Sequence, residues 1–595
     1  MTVDAAPQMS LKRQTWIVLA IWAVVAAMMI RNAIPLIREW TFPDPDDPMR
    51  LIQVRDWLAG QSWFDVTQYR LNPPAGGPMH WSRLVDVPIA GVILLARPFL
   101  GQHGAETAAL IVIPLLTLAI AMFLVHRIAY KLMGSSAALL AVLATPASLG
   151  AMKQMKIMRI DHHGWQIVLA LVAMLAVLDE RRRRSGIVAG LAMALWVNIS
   201  IEALPYVAAL GAWFAFEWLG NGSAGERLKT YLAALAGGSL LLFTGTHFPS
   251  VWFTHPHDAL NIAHLVGFAV AAICCTFAIR PIADWRMRLG VLAGVGVVSV
   301  AAMFAVDPHF LSGPFSSLDP LVAKWWYSGV DEGQPIWRLA PGDIAAGLAQ
   351  PFVGLLGAAV AIARTEGQQR KGWIAFAYLL GAVTLSAFFV IREATTAATL
   401  AMPGTAFLCD LALRRARKIS LMPARVLATT GAVFIMAPAY AAPALVMPAD
   451  ERLVNAMNSS DACVTRPQVE KLNSLPVSNL AVPLDITPMI LASTPHRAIA
   501  SGYHRNNGGI HDVILIFAGK LSTSREILAR RHIDYVVFCP KAPESIRWAI
   551  HGPGGLADML NSDRSPDWLE RVNLPNLRGL TVWRVRKDLI GASAA

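Results

Sequence analysis

The feature that most limits what this chain can become is a long series of apolar stretches, each close to the length of a membrane crossing. They cover residues 16–37, 106–125, 134–151, 164–178, 186–201, 203–219, 230–246, 259–279, 289–306, 342–363, 372–391, 394–413 and 422–446. A spanning helix needs about 20 mostly apolar residues, and shorter ones are accommodated by bilayer thinning or apolar flanks. Composition agrees: of 595 residues 55% are hydrophobic and 15% charged, with a mean hydropathy of +0.48. A soluble globule is excluded. The expected fold is a polytopic α-helical membrane protein of about thirteen transmembrane helices, one for each stretch above, with a C-terminal soluble α/β domain.

Charge distribution gives the orientation. The net charge of +12 resides in short runs of Lys and Arg between apolar stretches, the pattern that orients membrane helices rather than one that grips nucleic acid. Alternating spans put 126–131, 179–184, 226–229, 280–288, 364–371 and 414–418 on one side, and each carries two or more Lys or Arg. The connections near Glu202 and over 247–258 carry none. The positive-inside rule then makes the N-terminus cytoplasmic, and Lys12 and Arg13 ahead of an uncleaved apolar run read as a signal anchor. The same parity makes the stretch 84–100 an interfacial or re-entrant helix. Lys153, Lys156 and Arg159 fall on the outer side against the rule, which reads as three cations facing a polyanion.

Composition changes near Val446, dividing the chain into a membrane domain, 1–446, and an outer domain, 447–595. Short segments such as Tyr535-Val536-Val537-Phe538 and Thr581-Val582-Trp583 read as strands there. An odd number of spans puts this domain outside the cytoplasmic membrane, the periplasm of a bacterial inner-membrane protein. Cys463 and Cys539 are the two cysteines of that domain. An oxidising compartment permits a disulfide between them without requiring it.

Sorted by side, the ionisable residues converge. Asp44, Asp46 and Asp47 in Pro43-Asp44-Pro45-Asp46-Asp47-Pro48-Met49-Arg50, then Asp161-His162-His163, Glu202, Glu332 and Arg392 all lie at outer helix ends. Crowded carboxylates beside a bilayer repel one another unless a cation neutralises them. Asp161 and His163 at a helix start can offer an oxygen and an imidazole nitrogen to one divalent ion; the plainer alternative is an N-cap by Asp161. Glu332 sits in a long outer loop, 307–341, that also holds Trp325 and Trp326. Loops of that length commonly bind or cover a substrate, although interfacial anchoring would also use such aromatics. Arg392 is followed by Glu393 and is free either to bind phosphate or to form an ion pair.

These motifs resemble those of the catalytic subunit of oligosaccharyltransferase and its relatives in the GT-C class of membrane glycosyltransferases. Asp44-Pro45 with Arg50 is similar to the family's first outer-loop motif, Asp161-His162-His163 to its second acidic motif, and Glu332-Gly333-Gln334-Pro335 to its fifth-loop motif. The likeness covers about residues 1–446. It departs in the outer domain, which lacks the Trp-Trp-Asp-Tyr-Gly motif that reads an Asn sequon, so protein N-glycosylation is not implied.

The resemblance implies a metal-dependent transfer of a sugar or oligosaccharide from a polyprenyl (pyro)phosphate carrier to an acceptor at the outer membrane face. Asp44, Asp161, His163 and Glu332 are the implied metal ligands, with Mn²⁺ or Mg²⁺ suited to a mainly oxygen set. Asp44 or Asp46 would orient or deprotonate the acceptor nucleophile. Arg392, helped by Lys153, Lys156 and Arg159, would bind the leaving phosphate. Glu202, Trp325, Trp326, His504 and Arg505 are candidates for acceptor contact; the acceptor is a protein, a glycolipid or a polysaccharide. A multi-pass transporter or lipid flippase is the alternative, disfavoured by charges gathered at one face and by the lack of an inverted repeat.

Overall fold

The structure, a computed structural model, describes residues 9–280, 282–438 and 463–590. The boundary expected at residue 446 and the end of the last apolar stretch lie outside the described residues. Up to residue 438 the chain is almost wholly helical, and the expected apolar stretches are largely helical over their described residues, with 134–151 and 394–413 each broken into shorter helices. Among the described residues six helices are long and apolar enough to cross a membrane, or seven if the bent pair Glu393–Leu400 and Met402–Ala416 forms one span. His163–Val177 and Ile262–Ala278 are apolar but shorter. The protein is thus a multi-pass membrane protein, while length and apolarity alone do not reach thirteen crossings. Trp285–Val306 is the clearest lipid-facing helix, with only 6% of its apolar window buried in protein.

The stretch 84–100 is helical and runs into the following apolar stretch as one element, Asp86–Met133, broken at Gly101. There φ is 66° and ψ 178°, a conformation open in practice to glycine alone. Elsewhere small residues set how closely helices approach, as expected where lipid removes the usual hydrophobic drive for helix association. Gly354 and Gly357 of Pro341–Arg364 meet Gly404 of Met402–Ala416 so closely that a Cβ on Gly404 would lie 2.1 Å from the Gly354 carbonyl oxygen. A Cβ on Gly150 would lie 2.4 Å from the Thr395 carbonyl oxygen, which holds the short helix Leu149–Gln154 against Glu393–Leu400. These contacts bring the segment before Asp161 close to the one after Arg392.

Residues 463–590 carry a five-stranded sheet of order β2-β1-β3-β5-β4, with β1 Asn479–Ala481, β2 Arg497–Ala498, β3 Tyr535–Phe538, β4 Leu569–Arg571 and β5 Thr581–Val585. β1 is parallel to β2 and β3, and β5 runs antiparallel to β3 and β4. All four residues of β3 are buried, because helices and loops cover both faces of this central strand. Cys463 and Cys539 are disulfide-bonded with Cα atoms 6.0 Å apart, the pairing the sequence permits.

Two segments of the membrane part are built into this region. The first outer loop extends the sheet edge, with Ala498 N–H donating to the Arg70 carbonyl and Asn72 N–H to the Ala498 carbonyl, each at 2.9 Å. From the long loop, the helix Pro320–Trp325 inserts Val322 into the hydrophobic core formed by residues such as Ile514, Phe517 and Trp548.

Candidate active site

The acidic cluster opens the helix Asp46–Leu58, whose first turn favours carboxylates through the helix dipole. Its three acids do different things. Asp47 is fully buried and its Oδ1 accepts from the backbone N–H groups of Ile160 and Asp161 at 2.8 and 3.2 Å. This fixes where Asp161 begins the next motif. Burial pushes the Asp47 carboxyl up to about 8, partly opposed by Arg159 and reinforced by Asp44 and Asp161. Asp44 and Asp46 are half-buried and line the cavity described below. The Asp46 N–H donates to Asp44 Oδ1 at 3.0 Å.

Asp161 lies at the centre. Its Oδ1 is bonded to the ring and backbone N–H of His162, while Oδ2 lies 3.3 Å from His163 Nε2. Arg50, packed 4.3 Å over the Trp81 ring and paired with Asp86 at 3.2 Å, approaches Asp161 at 3.7 Å. His163 is held from its other side by Gln166, and Gln166 donates to Glu202 at 3.0 Å. Arg392 then bridges Glu202 at 3.1 Å and Glu332 at 3.2 Å. The Arg392 N–H also donates to the Glu332 carbonyl at 3.0 Å, which clamps the long loop to the end of the preceding helix. Arg392 holds the Glu332 carboxyl down to about 2, against the opposing effect of burial.

Asp44, Asp46, His162, Glu202, Glu332, Arg392 and Lys153 all line one cavity of about 1200 Å³. Trp81, Phe315, Trp326, Tyr327 and Tyr503 give it aromatic walls. The sequence therefore named residues of a single site although they come from segments hundreds of positions apart.

Several expected roles change. Arg159 is buried and spends its guanidinium on Asp44 at 2.6 Å and on Asp47 and Asp161 at 3.6 Å each. It is the counterion of the acidic cluster rather than a phosphate ligand. Lys156 is half-buried and does not line the cavity, whereas Lys153 is exposed and lies 4.0 Å from Glu332. Trp325 stacks on His551 and packs against the C-terminal core, so only its neighbour Trp326 reaches the cavity. His504 and Arg505 do line it, yet both are bonded to Asp258. Burial opposes ionisation of Asp258, but the bonds from His504 and Arg505 outweigh it and hold this carboxyl well below its usual range. Glu202, expected at the acceptor, is engaged by Arg392 and Gln166. Arg392 pairs across the site and not with Glu393.

The donor set fits a divalent cation. Asp161, His162 and His163 present ligand atoms within 4.8 Å of one another, and Asp161 Oδ2 is buried without a hydrogen-bond donor. Of the two histidines, His162 faces the cavity and His163 is turned between Asp161 and Gln166, a difference that sequence spacing does not encode. Asp44 is joined to Asp161 through Arg159, whereas Glu332 is joined through Arg392 to Glu202, which Gln166 links to His163.

No protein-family model and no curated protein matches the sequence. Solved structures do. An oligosaccharyltransferase from Archaeoglobus fulgidus, AglB, determined with an inhibitory peptide and a dolichol-phosphate, superposes with a TM-score of 0.64 at 14% identity, covering 92% of this chain and 72% of its own. The chain folds like an archaeal oligosaccharyltransferase. An oligosaccharyltransferase of the same organism determined with zinc and sulfate gives 0.58 at 15% identity, covering 91% and 70%. Tethered to an acceptor peptide containing an NVT sequon it gives 0.56 at 14%, covering 91% and 72%. The transporter alternative gains nothing from this likeness. A shared fold does not by itself carry an activity, and the chemistry rests on the cavity.

Proposed function

We propose that the protein is a metal-dependent glycosyltransferase that moves a sugar or oligosaccharide from a polyprenyl (pyro)phosphate carrier to an acceptor. The observation that carries this reading is the single cavity in which Asp44, Asp46, His162, Glu332 and Arg392 converge beneath aromatic walls. A fold shared with an enzyme determined with dolichol-phosphate supports it. In this reading residues 1–446 form the catalytic membrane domain of about thirteen spans counted from the sequence. Residues 447–595 form the outer domain, and the site faces the periplasm of a bacterial inner membrane.

Breaking the bond between a sugar and a carrier phosphate develops negative charge on the leaving oxygen. Groups that bind this charge more strongly as it grows lower the barrier. Arg392 is placed for that task, because its guanidinium already lies in the cavity between two carboxylates that a phosphate would displace or join. Lys153, exposed beside Glu332, adds a second cation. Asp161 with His162 or His163, joined by Asp44 and Glu332, would hold Mn²⁺ or Mg²⁺, which supplies Lewis-acid stabilisation of the phosphate when bound. Asp46, half-buried in the cavity wall, would accept a hydrogen bond from the attacking acceptor group. The half-buried rings of Phe315, Trp326 and Tyr327 in the cavity wall suit a carbohydrate face, in keeping with a glycolipid or polysaccharide acceptor as well as a protein.

The test is transfer of label from a polyprenyl-linked sugar in washed membranes, with and without chelator. Asp161→Ala and Glu332→Ala should abolish the covalent product while the protein remains inserted. Wild-type rates in both variants, or full transfer in excess chelator, would remove this reading. Arg392→Gln should chiefly weaken the apparent affinity for donor.

A further inference from the structure

A second group of metal-binding side chains lies elsewhere in the cavity wall. His80 of the first outer loop, Asp258 of the connection before the helix Ile262–Ala278, and His504 of the C-terminal region offer ligand atoms within 4.8 Å of one another. We propose that these three residues form a divalent-cation site of zinc type that fastens the C-terminal region to the membrane part.

Three features of the geometry point there. Two imidazoles and one carboxylate, with a fourth direction open to the cavity, make up a donor set that zinc takes readily. Nitrogen and oxygen ligands about 2.0–2.2 Å from a tetrahedral ion lie roughly 3.4 Å apart, so the cluster needs only a modest contraction. His80 Nδ1 is buried and has no hydrogen-bond partner, although its ring lies with its centroid 4.7 Å from that of His504. An ion pair between Asp258 and Arg505 would account for the carboxylate and the arginine, but it leaves this nitrogen unexplained.

The surroundings are those of an oriented ligand set. Arg505 Nη2 donates to Asp258 Oδ1 at 2.9 Å and Nε to Oδ2 at 2.7 Å, while Nη1 is anchored on the Met79 carbonyl at 3.0 Å. Hydrogen bonds of this kind fix the direction of a coordinating carboxylate. Phe315 packs edge-on against the His504 ring at 5.1 Å and limits its rotation. Coordination would exchange the 2.6 Å contact between His504 Nε2 and Asp258 Oδ2 for two bonds to a shared ion. Because the ligands come from three separate segments, an ion held here binds the assembled protein and not the unfolded chain, which stabilises the assembly.

The experiment uses the full chain in detergent, stripped with chelator, dialysed against Zn²⁺ and analysed for metal per chain. Work is done in an Asp161→Asn, Glu332→Gln background, so that binding at the other cluster does not contribute. One retained zinc is expected, together with a chelator-reversible rise in unfolding temperature. Co²⁺ in its place should show the intense visible absorption of a four-coordinate site. His80→Gln and His504→Gln, each eluting as the parent does on gel filtration, should lose the zinc and the absorption. No retained metal in the parent, which would leave an ion-pair clamp only, overturns the proposal. Retention undiminished in the doubly substituted His80→Gln, His504→Gln protein overturns it equally. Neither readout depends on sugar transfer.

Discussion

Replacing Arg159 by Gln removes a cation shared by three carboxylates. The guanidinium is 2% exposed and meets Asp44 at 2.6 Å and both Asp47 and Asp161 at 3.6 Å. At an effective dielectric constant of about 20, a pair of unit charges near 4 Å is worth about 4 kcal/mol. Asp47, its carboxyl raised to about 8, is largely neutral near pH 7, so the gross attraction over the other two pairs is roughly 8 kcal/mol. Most of that is offset by the cost of taking the ions out of water, and loss of one partner from a buried pair typically costs about 3–5 kcal/mol. We expect Arg159→Gln to lower stability by that amount, and Arg159→Lys, which keeps the charge but not the planar fork, by appreciably less. Thermal unfolding in detergent, followed by tryptophan fluorescence in chelator-containing buffer, measures both. Adding Mn²⁺ should restore part of the loss in Arg159→Gln, since a divalent ion can replace the missing charge. An unfolding midpoint equal to the parent's, or equal losses for Gln and Lys, would refute the counterion role.

Three other outcomes follow from the geometry. Reduction of Cys463–Cys539, separated by 76 residues, should destabilise the C-terminal region by up to about 4.5 kcal/mol on the chain-entropy estimate; protease sensitivity of that region with and without reductant tests it. Gly404→Val places side-chain carbon 2.1 Å from the Gly354 carbonyl oxygen and should separate the two helices, seen as loss of the monodisperse gel-filtration peak, with Ala428→Val on the exposed helix Met422–Phe434 as the tolerated control. Glu544 is buried, accepting hydrogen bonds from the N–H groups of Leu484 and Asp485 at 3.1 and 3.0 Å. Burial, then the neighbouring Asp485, raises its carboxyl well above the usual range. A raised acid contributes stability that is complete below its unfolded value and is lost as pH rises through the folded one, so Glu544→Gln should flatten the decline of unfolding temperature toward alkaline pH. An unchanged slope would count against it.

What could be read from the sequence divides along physical lines. The apolar stretches and the acidic clusters are local in the chain; the former are largely helical, and Asp44, Asp46, Glu202, Glu332 and Arg392 line one cavity. Which cation neutralises which anion is decided only when distant segments meet. Arg159 was therefore expected at a phosphate and lies instead among carboxylates. Arg83 and Asp86, paired with each other at 3.2 Å and through Asp86 with Arg50, gave no sequence signal beyond their spacing of three. Trp325 and Trp326 both pack against the C-terminal core, yet Trp325 stacks on His551 while Trp326 also lines the cavity, a difference that adjacency in sequence does not encode. Asp258 and His80 were missed altogether: each lies in a loop, and only folding brings the two together with His504.

Val322, seated in the hydrophobic core of the C-terminal region, ties the fate of Glu332 to packing far from any reacting group. Any movement of the helix Pro320–Trp325 would work against an aliphatic plug seated in that core. Such movement would then be a slow, activated event whose frequency is set by how firmly that distant interior is packed. Substitutions around Phe517 or Trp548 should consequently surface as altered turnover rather than altered chemistry, a kinetic handle placed where no substrate ever reaches.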